Sequence, residues 1–278
     1  MTASHIAVAA PILQPLAEHE APRYLPAIPA TTLWSRLSCE ADTPLLTVDP
    51  GTTIVVASVR HEGILEDQGR DPVSFFAAHG VPGTAVLRDG IQVAADGEHD
   101  PEDGPHMVTG PVGVRGARPG DVVAVHIDAL VPRVSFGAVS SRRGRELLPE
   151  RFPSEGSLTS VFCAVENLRL GLEHALTFGL IPADEALARF GDVRGPFALT
   201  PEFLVPTGLD EDLDTAVVKR GRKAVALLGG VYGMAPELDA YLSAATDFEM
   251  SQVVNLVKGA HARIRLADFA ALGREVLP

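Results

Sequence analysis

The densest group of side chains able to do chemistry lies in the stretch DGEHDPEDGPH, where Asp96, Glu98, Asp100, Glu102 and Asp103 are interleaved with His99 and His106. Imidazole nitrogens and carboxylate oxygens at this density form a ligand set for a divalent cation, zinc first, with His99 and His106 as nitrogen donors. The spacing matches neither an EF-hand loop nor an HExxH helix, so the competing reading is a solvated acidic loop. His106 is the best single candidate for a catalytic group. It precedes the turn Thr109-Gly110-Pro111, where an imidazole can bind a metal or move a proton and the Gly110 N–H, unhindered by a side chain, can approach a substrate. His106, Thr109 and Gly110 are the catalytic candidates; the alternative for His106 is a loop histidine hydrogen-bonded within its own turn.

Other reactive residue types have structural readings. His61 stands beside Glu62, and His126 lies in VVAVHID, where strand alternation puts it on a face with Ala124 and Asp128. Ser140 and Ser141 precede Arg142, Arg143, Arg145 and Arg151, but no GxSxG elbow surrounds them and chain order assigns them no His/Asp partner. The arginines read as carboxylate partners or an interface patch in a loop. Asp247, Glu249, Ser251 and Gln252 read as a helix start capped by Asp247 or Ser251.

The elements that must position these groups are β-rich first and helical later. Pro44 to Ala57 predicts strand, Pro50-Gly51 turn and strand, and Val112 to Ile127 echoes it around Pro119-Gly120. Asp71 to His79 predicts a short amphipathic turn or helix. A strand is expected near Ser160 to Glu166, followed by a helix towards Ile181. Leu213, Ala216, Val217, Ala224 and Leu227 share one face of a helix that Asp210 would cap, and a second helix starts at Pro236 with Leu238, Tyr241, Leu242 and Ala245 inward. A short helix over Asp247 to Val254 and a strand through His261 to Leu266 close the chain. The fold class is α+β, mostly β: a β-sandwich or barrel-like part over residues 1–200 and a helical α+β part over 201–278.

The 278 residues carry 36 acidic and 23 basic side chains, a formal charge of −13, which excludes nucleic acid and an anionic membrane surface as expected partners. Hydrophobic residues make up 46%, enough for a core, while 26 glycines and 22 prolines make turns frequent and favour β architecture. No segment reads as a spanning helix or signal peptide. With two cysteines, Cys39 and Cys163, and no CxxC pair, the expectation is buried thiols in a reducing cytoplasm.

Three passages resemble the acetamidase/formamidase family. His106 to Asp128, HMVTGPVGVRGARPGDVVAVHID, is similar to the family's H-P-x-T-G-P-V-x-V-x-G-A-x-P-G-D stretch with Met107 in place of proline. Phe136 to Pro153 resembles the segment with a Ser-Arg-His-Gly centre and a later Leu-Pro-x-x-Phe-Pro, with Arg143 in place of histidine. Pro206 to Phe269 resembles the family through PTGLDEDLDTAV, AYLSAATDFEMSQVVN and KGAHARIRLADF. The family's central Gly-Gly-Asn-x-Asp and Gly-Asp-x-His-x-x-x-Gly-Asp-Gly-Glu motifs do not occur, as in a divergent or internally shortened member. The resemblance implies a hydrolase of small linear amides of the formamide or acetamide type, releasing ammonia, without organic cofactor and as a homo-oligomer. The alternative is a catalytically inactive relative serving in binding or assembly.

Overall fold

The structure, a computed structural model, describes residues 12–16, 23–100, 103–141, 158–164, 171–234, 239–254 and 256–272. Two units divide it: residues 1–118 with 123–180, and residues 119–122 with 181–278. The second unit therefore takes up the chain again near 181, ahead of the boundary at 200 expected from the change to helical spacing. Among the described residues the strands form five small sheets and no closed barrel, and no helix is long and apolar enough to cross a membrane.

The first unit contains β1 (Tyr24–Leu25), β2 (Thr32–Trp34), β3 (Leu46–Val48), β4 (Thr53–Val59), α1 (Pro72–Ala77), α2 (Arg88–Asp96), β5 (Met107–Thr109), β6 (Val112–Val114), β7 (Val122–Pro132), β8 (Phe136–Ser141), β9 (Thr159–Ala164) and β10 (Gly171–Ile181). The Pro50-Gly51 turn forms, with Gly51 at φ +83°, but it does not make a hairpin. β3 pairs in parallel with β6, whereas β4 enters another sheet, of order β1-β4-β10-β7. The sequence echo is thus real in space: the two short strands of the repeated pattern pair with each other. β4 is buried on both faces, with Ile54 and Val56 in one apolar cluster and Ala57 and Val59 in another, as its run of apolar and β-branched residues, interrupted by Ser58, leads one to expect.

Three expectations are corrected in this unit. The helix expected towards Ile181 is instead the strand β10, antiparallel to β4 over Gly171 to Thr177; an ambiguous apolar run takes the conformation that its neighbour's unpaired backbone rewards. Helix α2 was not foreseen. Cys39 is exposed rather than buried. The expected α1 forms, with Pro72 at its first position and Asp71 accepting from the Ser74 N–H at 3.1 Å. The arginines at 142, 143, 145 and 151 lie outside the described residues.

The second unit contains α3 (Ala183–Phe190), β11 (Phe197–Leu199), β12 (Phe203–Asp210), α4 (Leu213–Tyr232), α5 (Asp239–Ala245), β13 (Asp247–Gln252) and β14 (Lys258–Arg265). Its sheet runs β11-β12-β14-β13, and α4 packs on it through Ala216, Ala224 and Leu227, all 0% exposed. Contact is so close that a Cβ on Gly208 would lie 1.9 Å from the Ala216 carbonyl oxygen, which explains the glycine on β12. The α4 cap is Asp212, whose Oδ1 accepts from the Thr215 N–H at 2.8 Å; Asp210 pairs instead with Lys219. Val217, expected inward, is 36% exposed. Leu242 of α5 is buried as expected, while Pro236 and Leu238 lie outside the described residues. Asp247 to Gln252 is a strand, not a helix, because it pairs antiparallel with β14.

Candidate active site

Beyond β4 the chain turns sharply at Gly63, φ +81°, where a Cβ would come 2.9 Å from the Pro72 Cα. Only glycine fits that turn, and it carries the preceding residue, Glu62, into the interior at 2% exposure. A carboxylate can stay there only if donors surround it. Glu62 Oε2 accepts from Ser140 Oγ at 2.7 Å and from Gln68 Nε2 at 2.8 Å. Gln68 is itself oriented by the Gly63 N–H, which donates to its Oε1 at 2.6 Å, and its Nε2 also reaches Ser140 Oγ at 3.1 Å. The β8–β9 register places Ser140 opposite Ser160, and the two hydroxyl oxygens are 2.8 Å apart. His61 Nε2 stands 3.6 Å from the other carboxylate oxygen, Oε1.

Glu62 and Arg60 are the charged groups on the wall of a cavity of about 30 Å³, otherwise closed by apolar side chains that include Val59, Phe76, Leu87 and Phe136. α1, α2, β4 and β8 all contribute to it. Next to the wall, Asp89 and Arg133 form an ion pair at 2.7 Å with both side chains 0% exposed, tying α2 to the start of β8. The arrangement is a buried base with a fixed orientation beside a small space, joined to a serine hydroxyl. Hydrogen bonding to one oxygen leaves the other oxygen of Glu62 able to accept from a molecule in the cavity.

The predicted site residues are not gathered at this cavity. The His106 side chain is exposed, and its carbonyl accepts from the Ser35 N–H at 2.7 Å. Thr109 Oγ1 donates to the Ala57 carbonyl at 2.8 Å, pinning β5 to β4. The Gly110 N–H donates to the Thr31 carbonyl at 3.0 Å, ahead of the cis Gly110-Pro111 bond, so backbone pairing already uses that donor. His99 is drawn inward from the acidic loop: its side chain is 3% exposed, stacked on Trp34 with ring centroids 3.8 Å apart, and its Nε2 is 2.9 Å from Glu66 Oε1. Partial burial opposes ionisation of Glu66, but its own backbone N–H, His99 and Arg70 outweigh that and hold the carboxyl below its usual value. Among the described residues no three His, Cys, Asp or Glu side chains converge as a metal site, and Glu102 lies outside them. A zinc ion held by His99 and His106 does not fit this arrangement, and no chemical step is drawn through one.

Sequence reasoning named Glu62 only as the neighbour of His61 and left Ser140 without a partner. The available signal was a lone carboxylate just before a glycine at the end of an apolar strand, which points to burial but not to the serine 78 positions away. It named Glu249 and Ser251 only as part of a helix start, whereas Ser251 Oγ lies 2.8 Å from His261 Nδ1 and Glu249 Oε2 lies 3.3 Å from His261 Nε2 in the second unit. There Glu249 is held by Arg263 at 2.6 Å, a cross-strand polar network on paired β13 and β14.

No protein-family model matches the chain, and no curated protein matches its sequence. Solved structures do resemble it. The crystal structure of a predicted acetamidase/formamidase from the thermophile Thermoanaerobacter tengcongensis superposes with a TM-score of 0.62 at 16% identity, covering 90% of this chain and 97% of that one. An acetamidase from Bacillus halodurans gives 0.58 at 17% identity over 90% and 99% of the two chains. An acetamidase from Yersinia enterocolitica gives 0.59 at 15% identity over 87% and 92%. The chain therefore has the fold of the acetamidase/formamidase crystal structures.

Proposed function

We propose that this protein is an amide hydrolase acting on small linear amides, with Glu62 as the general base. The observation that carries the reading is a buried carboxylate, held by Ser140 and Gln68, on the wall of an otherwise mostly apolar cavity. Its shared fold with structures described as acetamidases supports the choice of amides over other acyl compounds. Glu62 would take a proton from a water in the cavity while the hydroxide attacks the amide carbonyl carbon. Arg60 brings positive charge to the wall that faces the developing oxyanion. As the C–N bond breaks, the proton held by Glu62 passes to the leaving nitrogen, so ammonia departs, a carboxylic acid remains and Glu62 is returned ionised. At roughly 10–15 Å³ per water-sized group, 30 Å³ holds two or three such groups, the size of formamide alone; the wall must yield to admit the attacking water beside it, and by a further methyl for acetamide.

The test is ammonia release from formamide and acetamide. Glu62→Gln keeps the shape and is expected to lower kcat by about 10²–10⁴-fold, the usual contribution of a positioned base. His106→Ala is expected to leave kcat within a factor of about two, since its side chain is exposed and it is not among the wall residues. The reading fails if Glu62→Gln retains wild-type turnover, or if folded wild-type protein releases no ammonia, the outcome expected of the inactive alternative.

A further inference from the structure

The first unit contains a second, larger cavity, of about 380 Å³, which is within the range of small-molecule sites and an order of magnitude roomier than the space beside Glu62. Its wall joins the end of α2, through Val93, Asp96, Gly97 and Glu98, to the segment around β2, through Pro29, Thr32 and Trp34. Nothing in the amide-hydrolysis reading uses it. Two features define its chemistry. Asp96 and Glu98 are exposed carboxylates at its rim. The Trp34 indole is anchored behind the wall by His99 stacked at 3.8 Å and by its own N–H donating to the Gly104 carbonyl at 3.1 Å. Gly97 is required here, because a Cβ would come 2.4 Å from the Val93 carbonyl oxygen and 3.3 Å from the Trp34 ring.

The nearby cation is Arg70, and it is already committed: its Nε and Nη2 donate to the Ala94 and Gly97 carbonyls at 3.0 and 3.1 Å, and its Nη1 lies 3.4 Å from Glu66. The cavity therefore keeps an excess of negative charge and an indole quadrupole beside apolar walls. We propose that this cavity is a binding site for a small alkylammonium cation, its N–H groups directed to Asp96 and Glu98 and its apolar body against Trp34 and Val93. The inference does not rest on the hydrolase reading.

Trp34 is the single tryptophan of the chain, so intrinsic fluorescence reports on this cavity alone. The experiment titrates the full chain with n-butylammonium chloride, and in parallel with 1-butanol in matched sodium chloride. A saturable change in Trp34 emission with the ammonium and not with the alcohol is expected. The double variant Asp96→Asn/Glu98→Gln, shown to be folded by circular dichroism, should weaken the apparent affinity about tenfold, in line with two partly screened ion pairs. Added salt should weaken binding to the wild type, an arm that needs no variant. Glu62→Gln should bind as the wild type does, which separates this site from the proposed hydrolytic one. No saturable change, an equal response to butanol, or affinity indifferent to both salt and the double variant overturns the proposal.

Discussion

The walls of the small cavity depend on one buried charge pair, and breaking it gives a sharp test of the structure. Asp89 and Arg133 are each 0% exposed in their side chains and meet at 2.7 Å. Arg133 Nε also donates to the Leu13 carbonyl at 3.0 Å, its Nη1 reaches the Ser58 carbonyl at 3.4 Å, and Asp89 Oδ1 accepts from the Gly90 N–H at 3.1 Å. Gly90 and Val134, the immediate neighbours of the pair, both line the cavity. Asp89→Asn leaves the guanidinium without an opposing charge, and Arg133→Met leaves the carboxylate without one. Each strands a charge in the interior and should cost about 3–5 kcal/mol. At about 2–4 °C per kcal/mol for a chain of this size, that is a fall in Tm of roughly 10 °C. In the double variant no charge is stranded, so its loss should be smaller than the sum of the two by about 2 kcal/mol or more. Urea denaturation followed by circular dichroism on the four proteins closes the cycle. Additive losses, or single variants each costing under about 1 kcal/mol, would refute the buried pair.

Two further outcomes are expected. His174 on β10 contacts Ser58 Oγ at 2.9 Å, and burial lowers its pKa from the usual value near 6.5, so the unfolded chain binds its proton first. Stability from the neutral ring is present above about pH 6.5 and is lost as pH falls from there towards the lowered folded value; the acid-side decline in Tm should shrink in His174→Gln, and an unchanged pH profile would count against it. β7 is an edge strand whose Val123, Val125 and Ile127 are 44%, 50% and 64% exposed, the kind of edge that a second copy covers. If the homo-oligomer expected for this chain uses it, Ile127→Lys should shift the mass in light scattering towards the monomer; an unshifted oligomer places the interface elsewhere.

What could be read from the sequence was whatever short-range physics decides. The Pro50-Gly51 and Pro119-Gly120 turns, the Asp71-capped α1 and the apolar stripe of α4 each depend on residues within one or two turns of each other. The α4 cap moved only from Asp210 to Asp212, because both are acidic residues just ahead of the same apolar stripe. Where neighbouring strands supply the missing hydrogen bonds, local pattern lost its authority: β10 and β13 were both expected as helices, and pairing with β4 and β14 made them strands. The candidate site belongs wholly to that second kind. Glu62 is one carboxylate among 36 acidic residues until the Gly63 turn buries it and the β8–β9 register brings Ser140 against it. His106, conspicuous beside a Gly-Pro turn, is exposed, while His99 in the acidic run is buried against Trp34. A side chain's type sets what chemistry it can do, but its burial and its partner are set by contacts between segments far apart in the chain, and only the tertiary structure decides those.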